Sequence, residues 1–341
     1  MALTKKTALI QKLEERRGSR IISYIAGDRQ PGLETQIGMD VFPFFYDILV
    51  RMGKREHIDL VLYSTGGATM AAWGLVNLLR EFCDKLCVLI PFKAQSCATL
   101  LALGANEIVM TRTGQLSPVD PTVTSPFNPI LPNQPPGAPP TFLPVSVEDV
   151  IGFMKLIREE AGISTEENLT KVVQILAEKV NPLALGSVHR AKEQIRMLAR
   201  KLLSFHMGPE EQAKIDSIVA ALTRELFSHD YVIGRREAKE VLGLKVSDCE
   251  EALEKLIMEL FQSYSSDMQL STGYNPEVEL GNQKEKTVLF DRAVIESADR
   301  AFVFRTKRKL ERQRITREQI PIDVTQERVV EEGWSTLEGH G

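Results

Sequence analysis

Apolar residues follow two rhythms along this chain. Short runs over residues 20–26, 58–63, 86–92 and 106–110 are largely apolar, the pattern of strands covered on both faces. Between them the apolar positions return every three or four residues. Val41, Phe44, Phe45, Ile48 and Leu49 do so within residues 39–52, and residues 69–82 and 97–103 also read as helices. A short charged helix over residues 4–17 precedes the first strand, and a polar loop spans Asp28 to Gly38. Strands alternating with helices imply parallel βαβ crossovers, and in such sheets sites form beyond the carboxyl ends of the strands.

That alternation breaks after residue 117. Ten of the 17 prolines fall between residues 118 and 144, and proline, with a fixed φ and no N–H, supports neither a helix nor an interior strand. The stretch is expected either as a loop covering a site or as an irregular connection. Ser146 and Asp149 have the spacing of a capping box that opens a helix over residues 147–161. Further helices are predicted over residues 165–179, 186–205, 209–227, 237–242 and 248–264. Beyond residue 265 the chain turns polar, with a short strand at Thr287 to Phe290. Residues 305–314 hold six basic side chains, and Glu327, Glu331 and Glu332 follow. The expectation there is a charged, poorly ordered tail, with docking to an acidic partner as the alternative.

Composition adds limits. A formal net charge of −4 gives no reason to expect a nucleic acid or an anionic membrane as partner. No apolar run reaches the roughly 18 residues that a bilayer span requires. The lysines near the N-terminus are not followed by the apolar region of a secretory leader. Cys83, Cys87, Cys97 and Cys249 have neither metal-ligand spacing nor a disulfide framework, so a reducing cytoplasm is expected, with no metal and no cofactor.

Candidate chemistry lies at two turns. The strand at 58–63 runs into Ser64-Thr65-Gly66-Gly67, where glycines allow a sharp turn and leave backbone N–H groups unshielded. Ser96 follows 29 residues after Gly67, at the passage from a strand into the helix that Cys97 opens. A serine hydroxyl placed there is a candidate nucleophile. The N–H groups of Gly67 and Cys97 are then candidates to receive the oxygen that becomes negative during attack. The plainer reading makes Ser96 a helix N-cap.

Taken together, these turns and the helix between them resemble the Clp-protease and crotonase superfamily, and within it the serine dehydrogenase proteinases. Residues 18–24, 103–110, Ser117-Pro118-Val119-Asp120-Pro121, and His229-Asp230-Tyr231 leading into residues 237–244 carry the same resemblance, so that it covers roughly residues 4–250. It implies an α/β fold of stacked βαβ units around a mostly parallel sheet, with additional helices. It also implies a serine peptidase acting on a peptide or protein substrate, with Ser96 as nucleophile and Gly67 and Cys97 as the oxyanion hole. Gly66 and Asp120 would line the site, and several copies would assemble. The expected division is a Clp-like domain over 1–264, holding the Pro-rich loop 118–146 and a helical insertion 147–227, then an extension over 265–304 and the charged tail 305–341.

The proton acceptor is the open point. Asp230, seven residues before Glu237-Ala238, matches the family's catalytic aspartate, but no histidine occurs between His57 and His189. The substitutes are His229, a lysine such as Lys93 or Lys155 acting as in the signal-peptide peptidases, or no base at all. The last case would make the protein a catalytically silent scaffold or regulator. A crotonase-type acyl-CoA enzyme, using the paired N–H groups for an enolate, is the third class.

Overall fold

The computed structural model describes the whole chain except residues 1–4, 120–121, 124–125, 133, 135–138, 144, 226–230, 318–319 and 338–341. It divides into two compact units, one made of residues 1–116 with 233–341 and the other of 117–232.

The first unit opens with α1 (Lys5–Arg17), β1 (Arg20–Ala26), α2 (Phe42–Met52), β2 (Arg55–Tyr63), α3 (Thr69–Glu81) and β3 (Cys83–Ile90). β4 (Lys93–Ala94), α4 (Cys97–Leu103), β5 (Glu107–Met110) and β6 (Gln115–Leu116) follow. The second unit holds the short pair β7 (Thr122–Val123) and β8 (Val145–Ser146), then α5 (Val147–Lys155), α6 (Glu166–Lys179), α7 (Pro182–Leu203) and α8 (Gln212–Ala220). α7 starts at Pro182, earlier than the spacing predicted, because Asn181 caps it by accepting the N–H of Leu183 at 2.9 Å and Pro182 suits the first helical position. The remainder of the first unit adds β9 (Ile233–Gly234), β10 (Val246–Ser247), α9 (Glu251–Asp267), α10 (Pro276–Leu280), β11 (Glu285–Glu296), β12 (Ala301–Arg317) and β13 (Ile320–Thr336).

One eight-stranded sheet organises the first unit, in the order β10-β5-β3-β2-β1-β11-β12-β13. The pairs from β10 through β1 are parallel and the last three are antiparallel. This is the mixed α/β fold with a large, mostly parallel sheet that the resemblance implies. Both faces of the parallel half are covered. Ile21, Ile25, Val61, Tyr63, Leu89 and Val109 pack in one cluster with Leu9, Ile10 and Leu13 of α1 and Ile257, Leu260 and Tyr264 of α9. Tyr24, alternate to Ile25 on β1, turns to the other face and meets Phe45 of α2 edge-on at 5.5 Å. Burying an Ile, Leu or Phe side chain of this kind contributes roughly 1.5–3 kcal/mol.

Beside the expected division, residues 117–232 cluster as a unit of their own, and β11, β12 and β13 complete the sheet of the first unit. The described residues of the expected charged tail are ordered strands instead, since β12 and β13 continue the sheet; residues 318–319 and 338–341 lie outside the described residues. The charges of these strands answer one another: Arg308 pairs with Glu327 at 3.0 Å, Arg305 with Asp291 at 2.6 Å and Lys309 with Glu285 at 2.8 Å. Val303 and Leu310, spaced among the charges, are fully buried. Like-charged runs on one strand are stable in a sheet when the neighbouring strands carry the opposite sign.

Candidate active site

The turn after β2 is built from its own backbone. Ser64 continues the ladder beyond β2: its N–H donates to the carbonyl of Lys93 at 2.9 Å and its carbonyl accepts from Gln95 at 3.0 Å. Its buried hydroxyl accepts the N–H of Gly66 at 3.0 Å and donates to the carbonyl of the same residue. Gly66 and Gly67 have φ of 137° and 148°, a region open to glycine and costly to other residues. Space forbids a side chain as well. A Cβ on Gly66 would lie 3.1 Å from Ser96 Cβ, and one on Gly67 would lie 2.5 Å from the backbone nitrogen of Ile37.

Ile37 is the clamp. Its N–H donates to the Gly66 carbonyl and its carbonyl accepts from Ala68, both at 2.9 Å. These bonds fix the turn from one side and leave the N–H of Gly67 without a hydrogen-bond acceptor among the described residues.

Ser96 stands against this turn in a strained conformation, with φ 50° and ψ −115°. A non-glycine residue there carries a cost of about 1–3 kcal/mol, and the surroundings must over-determine it. They do: Thr99 Oγ1 donates to the Ala94 carbonyl at 2.7 Å, Ala98 donates to Gln95 at 2.9 Å, and Leu100 to Ser96 at 3.0 Å. The Ser96 side chain makes no capping bond to α4, so the N-cap reading does not explain it. The N–H of Cys97, in the first turn of α4, has no acceptor among the described residues either. The Cys97 thiol donates to the Ala68 carbonyl at 3.1 Å, and burial pushes it up to about 12. A thiol so held supplies no thiolate near neutral pH.

Of the remaining sequence candidates, Lys93 and Lys155 are among the described residues. Lys93 lies three residues before Ser96, but its ammonium pairs with Asp28 at 2.6 Å, and Asp28 also accepts the Tyr63 hydroxyl at 2.6 Å. Lys155 ends α5 in the second unit, half-buried. Asp120, His229 and Asp230 lie outside the described residues. Sequence reading did not single out Ile37 or the bracing role of Ser64, since a backbone clamp from a polar loop leaves no residue-type signal.

A second polar cluster lies toward the opposite, amino-terminal end of the sheet. Asp59 accepts from Arg17 Nε and Ser19 Oγ, each at 2.8 Å, and His57 Nε2 lies 2.7 Å from its other oxygen, though off the hydrogen-bond axis. Arg17 Nη2 also reaches Cys87 Sγ at 3.3 Å. Burial pushes the Asp59 carboxyl up, but His57 and Arg17 outweigh it and hold it below its ordinary value. The donor atoms of His57, Asp59 and Cys87 lie within 4.8 Å of one another, the one such grouping among the described residues. The Arg17 guanidinium bonds to two of the three, so a further cation there would meet a fixed positive charge.

Comparison with known proteins bears on the strained serine and its glycine turn. Residues 1–132 match the family model of ClpP-like SDH-type serine proteinases. That stretch contains Gly66, Gly67, Ser96 and Cys97, and the resemblance read from the sequence holds over it. Two uncharacterized proteins of Methanocaldococcus jannaschii are similar over more of the chain. MJ0137 is 27% identical over 262 residues, 74% of this chain and 77% of its own length. MJ1495 is 26% identical over 277 residues, 78% of each. Among solved structures, the 1510-N membrane-bound stomatin-specific protease aligns at 13% identity and a TM-score of 0.35. One structure is a serine-to-alanine variant, with 62% of this chain and 74% of that chain covered; the other is a lysine-to-alanine variant with a substrate peptide, with 62% and 70% covered. Among the described residues, no helix of this protein is long and apolar enough to cross a membrane.

Proposed function

We propose that this protein is a serine peptidase that cleaves peptide bonds through an acyl-enzyme on Ser96. The observation that carries the reading is the backbone of Ser96, held at φ 50° beside Gly66 with no capping role. Strain of this kind needs a reason beyond folding, and presenting a nucleophile beside two N–H groups that have no acceptor among the described residues is one.

In this mechanism Ser96 Oγ attacks the scissile carbonyl carbon while its proton passes to a base. The carbonyl oxygen becomes an oxyanion that accepts hydrogen bonds from the N–H groups of Gly67 and Cys97. One such donor is worth about 2.7–4 kcal/mol in the transition state. Collapse expels the amine, which takes the proton from the protonated base. Water, deprotonated by the same base, then attacks the ester carbonyl and releases Ser96. The base is drawn from Lys155 and His229, with Asp230 orienting it and Asp120 beside the substrate. Unpaired Cys83, Cys87, Cys97 and Cys249 fit work in a reducing cytoplasm, and the reading extends to an assembly of several copies.

Fluorophosphonate labelling tests the proposal. The wild-type protein is expected to label at Ser96, and Ser96→Ala to lose labelling and peptide hydrolysis by at least about 10⁴-fold. Substituting Lys155, His229 and Asp230 singly then identifies the base. An intact wild type that resists labelling would favour the silent scaffold, a reading supported by the missing histidine between residues 57 and 189. Turnover of an acyl-CoA that survives Ser96→Ala would favour the crotonase class.

A further inference from the structure

A cavity of about 350 Å³ opens in the first unit beside the clamp on the glycine turn. Its lining includes Tyr24, Glu34, Asp40, Phe304, Glu332 and Trp334, together with Gln36 and Arg292. Gln36 directly precedes Ile37, whose backbone holds Gly66 and Ala68. The cavity and the candidate active site therefore share one strip of chain.

Its charges do not balance. Three carboxylates face one guanidinium. Arg292 is fully engaged, donating to Glu332 at 2.6 Å, to Thr306 Oγ1 at 2.9 Å, to the Leu33 carbonyl at 3.0 Å and to the Glu34 carbonyl. That pairing also uses the charge of Glu332. Asp40 accepts only the neutral indole N–H of Trp334, at 2.7 Å, and the Glu34 carboxylate accepts from no described residue. Glu34 meets Arg292 only through space, without a hydrogen bond from its carboxylate, and Asp40 has no cationic partner among the described residues.

Aromatic walls accompany them. Trp334 lies against Phe304 at 5.6 Å and against Phe44 at 5.0 Å, so the indole is fixed in place. Tyr24, only 1% exposed, lines the same cavity, and its hydroxyl donates to no described residue. Burial and the nearby Asp40 raise this phenol above its usual range, so the O–H persists as a donor and acceptor. Carboxylates beside a fixed indole face suit a guanidinium or ammonium group, which gains from both. The volume is at the small end of ligand pockets, which run to roughly 300–1,000 Å³.

We propose that this cavity receives an arginine or lysine side chain of a peptide substrate and so gives the enzyme a preference for a basic residue near the scissile bond. The inference rests on the peptidase reading for its substrate, but its test needs no catalysis. Full-length Ser96→Ala protein is titrated with a fluorescein-labelled peptide carrying one arginine, and with the same peptide carrying neutral citrulline, by fluorescence anisotropy. The arginine peptide is expected to bind at least about tenfold tighter, since two opposed charges and an indole face are lost in the citrulline peptide. A Glu34→Gln, Asp40→Asn double variant, with circular dichroism unchanged, is expected to bind the two alike. Equal affinity in the Ser96→Ala protein, binding of neither peptide, or a preference that survives the double substitution overturns the proposal. Arginine-selective binding without fluorophosphonate labelling of the wild type sinks the peptidase reading alone. Labelling without that selectivity sinks only the subsite.

Discussion

The two ends of β2 make opposite use of buried polar groups. Toward the amino end, midway along β2 and level with the start of β1, Asp59 gathers Arg17, Ser19 and His57 into a cluster in which the Arg17 guanidinium meets the carboxylate's charge. At the carboxyl end, two backbone N–H groups find no acceptor among the described residues, beside a serine whose own backbone is strained. By residue type alone, the first cluster is the more suggestive, with a histidine, a carboxylate and a thiol in close contact. Its internal pairing marks it as structural: Arg17 ties α1 to β2 and β3 through it. Function is better sought where hydrogen-bonding capacity is unspent and conformational strain is maintained.

That contrast is open to direct attack. The largest effect on stability is expected at the paired end. Asp59→Ala leaves the Arg17 cation only the more distant Glu107, at 3.7 Å, and should cost about 3 kcal/mol in urea unfolding, with labelling per folded molecule unchanged. If Asp59→Ala instead abolished labelling in a folded protein, the assignment of the two ends would be reversed. At the carboxyl end, Gly67→Ala drives a Cβ into the Ile37 backbone and moves the N–H. The expected loss in labelling rate is about 10²–10³-fold, with a smaller change in stability.

Acid should separate the ends further. The Asp59 carboxyl is held low in the folded state, so its stabilisation is complete above its unfolded value, near 3.9, and is lost as pH falls through the lower folded value. The wild-type protein should therefore lose stability more steeply than Asp59→Asn as the pH falls below about 4, in urea titrations at a series of pH values. The smallest effect is expected for Cys97→Ala. The group assigned to catalysis there is the backbone N–H, so the labelling rate should stay near that of the wild type. Loss of labelling in folded Cys97→Ala would give the thiol a role that its burial argues against.

Much of the fold was legible in the sequence because the parallel strands are continuously apolar. Residues 20–26, 58–63 and 106–110 announced themselves by composition, and the helices between them by their three-to-four spacing. β12 and β13 were not legible. Their alternating charges look like a solvated tail until each strand is set beside the other, and the cross-strand pairs Arg308–Glu327 and Lys309–Glu285 exist only in register. The basic run at 305–314, which had suggested docking to an acidic partner, finds much of its acidic complement in β11 and β13. At the candidate site, the glycine pair and Ser96 could be marked by chemistry and spacing, whereas the clamp from Ile37 could not. A loop residue that acts through its backbone carries no signature in its side chain.

By itself the sequence determined the parallel core, the glycine turn and the serine that follows it, because these depend on local composition and on conformations that only glycine adopts freely. Tertiary structure decided three further things: that the charged C-terminal strands complete the sheet, that Ser96 is strained rather than a cap, and that Glu34 and Asp40 face Trp334 across one cavity. Each depends on groups far apart in the chain, whose juxtaposition only the folded sheet supplies.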